Sequence, residues 1–86
     1  MAKFRRSIHD GVYKAIRKEL VDARKSLGMT QRELAEKMQV PCSLIGKIET
    51  GDRRLDMIEF VEYAKQLSLD PITLLDRVSE EYLSSQ

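Results

Sequence analysis

Between Pro41 and Arg54 the chain sets Cys42, Ser43, Gly46, Lys47 and Thr50 at steps of one, three and four, followed by the paired Arg53 and Arg54. At about 100° per residue, such steps gather side chains on one side of a helix. That side has no bulky apolar group for a core to use. It offers close approach and hydrogen bonding, with hydroxyls at Ser43 and Thr50 and a flexible ammonium at Lys47. The chemistry open to such a set is recognition. No nucleophile with a base and an orienter is evident in the sequence, nor a glycine-rich phosphate loop, nor a carboxylate pair in a catalytic setting. His9 is the only histidine and Cys42 the only cysteine, which leaves no ligand set for zinc. The chain therefore reads as a non-enzyme that needs no cofactor. Cys42 falls in the first turn of a helix, a setting that can make a thiol reactive. Redox control stays open there beside the plainer reading of a small side chain on a binding surface.

These residues need two helices to hold them. Pro41 has a preset φ and no amide hydrogen, so the spacing predicts a helix over 41–50, with Pro41 as its first residue and Gly51 as its end; Ile45 and Ile48 point inward. Just upstream, Thr30 and Glu33 have the spacing of a capping box, with Met29 and Leu34 in the two staple positions. That predicts a helix to about Met38, with Leu34, Ala35 and Met38 inward. Before it, Val12, Ile16, Leu20, Ala23 and Leu27 draw a stripe at steps of three and four, closed by Gly28. After it, Asp56 and Glu59 repeat the box, and Leu55 with Phe60 repeats the staple. A fourth helix follows with Ile58, Val61, Ala64 and Leu67 as its stripe and Phe60 beside Ala64. Asp70 and Pro71 open a fifth, read as facing inward through Ile72, Leu75 and Val78. No segment alternates as a strand does, so the fold class is all-α with five helices.

At 86 residues there is room for one domain. It divides into a basic arm over 1–10, a folded domain over 11–79 and a tail over 80–86. A single cysteine and the lack of any long apolar run point to a reducing, cytoplasmic setting and away from a membrane. Net charge is +1, but residues 1–30 carry +5 and residues 55–86 carry −5. A basic front and an acidic rear suit an anionic partner on one face; a merely solvated pattern is the plain alternative. Lys3, Arg5 and Arg6 of the arm either lie along such a partner or are free. Leu74, Tyr82 and Leu83 exceed what the inward stripe of the fifth helix requires, which marks them as a pairing surface for a second copy, with core packing as the rival.

Two helices joined by a tight turn, the second presenting a polar strip, make a helix-turn-helix, whose second helix enters the DNA major groove. The stretch "TQRELAEKMQVPCSLIGKIETGDRR", with the distal "LSLDPITLL", resembles the phage repressor and Cro-like (XRE-type) transcriptional regulators. The resemblance spans about residues 21–75 and implies a five-helix lambda-repressor-like domain. It implies base contacts by Cys42, Ser43, Leu44, Gly46 and Lys47. Backbone contacts would come from Thr30, Gln31, Thr50, Arg53 and Arg54, and a structural ion pair from Arg24 and Glu49. Lys47 could serve a guanine or a phosphate, and Ser43 a base, a phosphate or its own backbone.

Two positions depart from the family's pattern. Gln39 stands where glycine is common, so either a left-handed glutamine costs about 1 kcal/mol or the turn differs. Leu55 stands where proline is common. The short side chains of the strip point to readout that leans on DNA shape. The implied protein is a small regulator, a repressor in expectation, that acts as a homodimer on a two-fold double-stranded operator. The alternative is an antitoxin-like module whose main partner is a toxin protein, with DNA binding secondary.

Overall fold

The computed structural model describes the backbone of residues 2–84 and the side chains of residues 11–81. It has five helices: α1 (Ala2–Ser26), α2 (Gln31–Met38), α3 (Cys42–Thr50), α4 (Met57–Gln66) and α5 (Pro71–Ser84), and no strand among the described residues. Helix α3 packs on α2 and α1, α4 covers α2, and α5 closes against α1 and α4. One core joins them: Leu20 from α1, Leu34 and Ala35 from α2, Ile45 and Ile48 from α3, Leu55, then Phe60, Tyr63, Ala64 and Leu67 at α4, and Leu74 and Val78 from α5.

Helix starts follow local chemistry. Thr30 accepts from the Glu33 amide at 3.0 Å while Glu33 accepts from the Thr30 amide at 2.8 Å, which satisfies two otherwise orphaned donors at the start of α2. Asp56 and Glu59 repeat the arrangement at 2.7 and 3.1 Å. In each box the Glu carboxyl lies below its usual range, held there first by the cap's backbone amide at Glu33 and by the Arg53 guanidinium at Glu59. Asp70 accepts from the Ile72 amide and from the Thr73 hydroxyl, and fixes the start of α5. Pro41 is the N-cap of α3, with extended ψ of 143°, so that helix begins one residue later than the sequence predicts.

The turn between α2 and α3 is Gln39, Val40 and Pro41. Gln39 has φ 58° and ψ 45°, so it takes the left-handed conformation that glycine would take more cheaply. The Val40 amide returns to the Ala35 carbonyl at 3.0 Å and closes the end of α2.

The distal helices are rotated relative to the sequence reading. Ile58 and Ile72 are each 76% exposed, and Val61 and Leu75 are also exposed; Tyr63 and Leu74 hold the inward places. The reason is geometric. Residues 58, 61, 64 and 67 step by three, and at 3.6 residues per turn each such step slips about 60° around the helix. Only Ala64 and Leu67 stay inward, joined by Phe60 and Tyr63 in the spacing that tracks one face. Likewise 72, 75 and 78 drift apart, whereas Leu74 and Val78, four apart, stay together. Leu74 is therefore a core residue and not part of a pairing surface. Leu27 lies beyond the end of α1 at Ser26 and is exposed for that reason.

Candidate nucleic-acid interface

Helix α3 has two unlike sides. Ile45 and Ile48 are buried, while Ser43, Lys47 and Thr50 are exposed on the other side with Gly46 between them. Cys42 and Leu44 lean back and pack partly against the core, so the open part of the strip is narrower than the residue pattern alone indicates. A Cβ on Gly46 would meet only the Gln31 Oε1 atom at 3.7 Å, so the glycine supplies a low surface and relieves no clash. No side chain caps the first turn of α3; the Leu44 amide reaches back to the Pro41 carbonyl at 3.0 Å instead. The Ser43 hydroxyl is thus not used as a cap.

Behind the strip, the Glu49 carboxylate gathers three other helices. Arg24 of α1 donates through Nε to Oε2 at 2.7 Å and through Nη2 to Oε1 at 2.9 Å, a two-pronged pair with both side chains buried. Gln31 of α2 donates to Oε1 at 2.8 Å, and the Tyr63 hydroxyl of α4 donates to Oε2. Arg24 also ties down the α1–α2 turn through the Met29 carbonyl at 2.7 Å. Burial alone would raise the Glu49 pKa, but the bonds from Arg24, Tyr63 and Gln31 together outweigh it and hold the carboxyl below its usual range. Burial, then the bond to Glu49 and its charge, pushes the Tyr63 hydroxyl well above its usual value, so it stays a neutral donor. The expected Arg24–Glu49 pair is present. Tyr63 was missed because it was not counted as an inward residue; its aromatic body and polar tip suit a core position beside a charge.

The other expected contact residues are distributed around α3. Thr30 is exposed at the start of α2, and its hydroxyl keeps its own hydrogen while accepting from Glu33. Gln31 uses one amide hydrogen on Glu49 and retains the second. Arg53 donates to Glu59 at 2.7 Å, and Arg54 lies over the Tyr13 ring, 5.7 Å from its centre. Both arginines are exposed but engaged within the chain. The Tyr13 hydroxyl donates to the Leu55 carbonyl at 3.2 Å, and buried Leu55 anchors the loop from below. Along α1, Lys14, Arg17 and Lys18 border clefts shared with Thr50 and Gly51. Their spacing, three and four apart on one helix side, was the signal available in the sequence. The side chains of Lys3, Arg5, Arg6, Tyr82 and Leu83 lie outside the described residues.

No helix among the described residues is long and apolar enough to cross a membrane. A helix-turn-helix family model matches residues 20–74, most of the chain, including both helices of the motif and the loop after α3. An XRE-family-like protein from Pseudomonas syringae pv. tomato str. DC3000 is 37% identical and superposes with a TM-score of 0.84, covering 88% of this chain and 93% of that one. No curated protein matches the chain. With more than half the sequence within the family model and that likeness over nearly the full length, the chain belongs to the XRE-type helix-turn-helix family of DNA-binding transcriptional regulators.

Proposed function

We propose that the protein is a sequence-specific repressor that inserts α3 into the major groove of a double-stranded operator. The observation that carries this is the pairing of an open strip, Ser43, Gly46, Lys47 and Thr50, with the buried Glu49 junction behind it. A groove-reading helix must arrive already oriented, because contacts that first have to order their own support lose affinity to entropy. Lys47 and Ser43 reach base edges or nearby phosphates, Leu44 and Cys42 give short apolar contacts, and Thr30, Gln31, Thr50, Arg53 and Arg54 hold the flanking backbone. With no long amide on the strip, part of the selectivity rests on DNA shape.

A homodimer is the working form, placing two copies of α3 about one helical turn apart on a two-fold site in the cytoplasm. Its support is an apolar face on α4 and α5: Met57, 85% exposed, with Ile58, Val61, Ile72 and Leu75. Met57 and Leu75 rim a shallow hollow floored by Tyr13, Ile16 and Phe60, so one face carries both projections and a recess, which a two-fold contact needs. Large apolar side chains exposed side by side, rather than singly, are what mark an interaction surface.

Selection from a random duplex library with the purified protein, followed by sequencing, tests the reading. Enrichment of a two-fold site with half-sites roughly ten base pairs apart supports it. Retention of DNA without enrichment would sink the sequence-specific reading. The apolar face would then favour the second reading, an antitoxin-like module with a protein partner.

A further inference from the structure

Thr50 belongs to two surfaces at once. It ends the open strip of α3, and it lines the clefts between α3 and α1 with Lys14, Arg17 and Gly51. Any duplex seated on Ser43, Lys47 and Thr50 would carry its nearest backbone past this edge. The edge is basic in a particular way. Two carboxylates border it, and both are already engaged: Asp22 with Lys18 at 2.8 Å and Glu49 with Arg24 at 2.7 Å. Among the described residues, Lys14 and Arg17 have no carboxylate within ion-pair distance, so no described carboxylate offsets their charge at the cleft. The Arg17 guanidinium also lies close to Gly51. Its Nη2, Cζ and Nε atoms lie 3.0, 3.1 and 3.5 Å from where a Cβ on Gly51 would stand, so it rests against the open side of the turn that ends α3. Gly51, at φ 88°, both ends the helix and leaves room for that group, and Gly11 also lines the cleft.

We propose that Lys14 and Arg17 form a further phosphate-binding edge that grips the DNA backbone beside the half-site and extends the footprint from α3 onto α1. The inference rests on the DNA-binding reading above. A guanidinium beside a helix end, with no described hydrogen bond or ion pair to break, offers the flat fork of donors that phosphate oxygens accept. The competing role is internal: cations near the C-terminal end of α3 could simply complement its dipole. The two roles differ in what they change. A dipole role appears in folding stability and a phosphate role in the salt dependence of binding.

The test is fluorescence anisotropy of the full chain on a random-sequence duplex of about 30 base pairs, over roughly 50 to 250 mM salt, since each phosphate contact adds about 0.9 to the log-log slope. Lys14→Ala and Arg17→Ala should each lower the slope by about that amount and weaken binding several-fold near 0.1 M, while Arg17→Lys keeps most of the slope. Thermal melting of Lys14→Ala should match the wild type. Lys65→Ala, on the outer side of α4, should leave the slope unchanged. Wild-type slopes in Lys14→Ala and Arg17→Ala, with wild-type binding intact, overturn the edge while sparing the DNA reading. An equal loss in Lys65→Ala overturns it too, because net charge would then be the cause. If the wild type is not retained by the duplex at all, the DNA reading and this inference fall together.

Discussion

At its C-terminal end, α3 is tied through the Glu49 carboxylate to α1, α2 and α4, and its final turn closes on a left-handed glycine against which Arg17 rests. At its N-terminal end, the same helix is entered through a left-handed glutamine, capped by a proline that offers no side-chain acceptor, and followed by an unused serine hydroxyl. One end has its hydrogen bonds met inside the protein; the other leaves them to be met from outside. The difference separates two tasks that a reading helix combines. Orientation is set by the anchored end, at buried positions where water cannot compete. Contact is left to the bare end and to the outward strip that runs from it to Thr50, where exposed donors and acceptors remain available to a ligand.

The largest expected effect comes from breaking the anchor. Glu49→Gln keeps the shape but leaves the Arg24 guanidinium buried without its counter-charge, which costs about 3 to 5 kcal/mol. For a domain of this size that is a large share of total stability, and calorimetry should show a fall in Tm on the order of 20 °C. A Tm within a few degrees of wild type would mean the junction does not orient α3. Tyr63→Phe is milder. It removes one donor to a charged acceptor and keeps the ring's packing, for about 1.5 to 3 kcal/mol by urea unfolding. A double variant of the two should lose less than the sum of the singles, since both act on one carboxylate.

Acid sharpens the same comparison. Glu49 has its folded pKa below the ordinary 4.5, so its stabilising contribution is fully present above that value. It is lost as pH falls through the depressed folded value, because the folded chain then has to take up a proton that the unfolded chain already binds. Glu59, lowered mainly by Arg53, adds in the same direction. Wild-type stability should therefore hold from neutral pH to near 4.5 and fall below it. The gap between the wild type and Glu49→Gln should narrow over the same acid range. A gap that stays constant with pH would mean the carboxylate's charge is not what holds the junction.

How much of this was legible beforehand depended on whether the signal was local. Both capping boxes, the glycine ends at Gly28 and Gly51, and the inward pair Ile45 and Ile48 follow from residues a few positions apart, and they were read correctly. The Arg24–Glu49 pair spans 25 positions and was reached only through family resemblance, because nothing in the spacing tells which carboxylate an arginine will meet. The faces of α4 and α5 were misread because two apolar stripes competed. Stepping by threes matches aliphatic residues throughout, but it drifts around the helix, and the choice is settled by Tyr63 finding Glu49 and Leu74 finding the core. Lys14 and Arg17 were visible as a basic spacing, yet their closeness to Thr50 and Gly51 is a tertiary fact.

At the bare end, a gain is expected first. Gln39→Gly relieves left-handed strain and should stabilise by up to about 1 kcal/mol, offset in part by the greater freedom of an unfolded glycine. Urea midpoints measure it, and a loss of stability would show that the Gln39 side chain makes a contact worth more than the strain.

The smallest folding effect belongs to the strip itself. Ser43→Ala and Lys47→Ala remove exposed groups that cap nothing and form no ion pair among the described residues, so each should stay within about 0.5 kcal/mol of wild type in unfolding. In selected duplexes the outcomes should part. Lys47→Ala should relax preference at one position of the half-site, by about 1 to 3 kcal/mol if the ammonium meets a guanine edge. Loss of affinity spread evenly over all duplexes would assign Lys47 to the phosphate backbone instead. A destabilisation of 2 kcal/mol or so in Ser43→Ala would contradict the division proposed for α3, because the end described as bare would then be carrying structure. The same loss in Lys47→Ala would show that the outward side of the last turn carries structure as well.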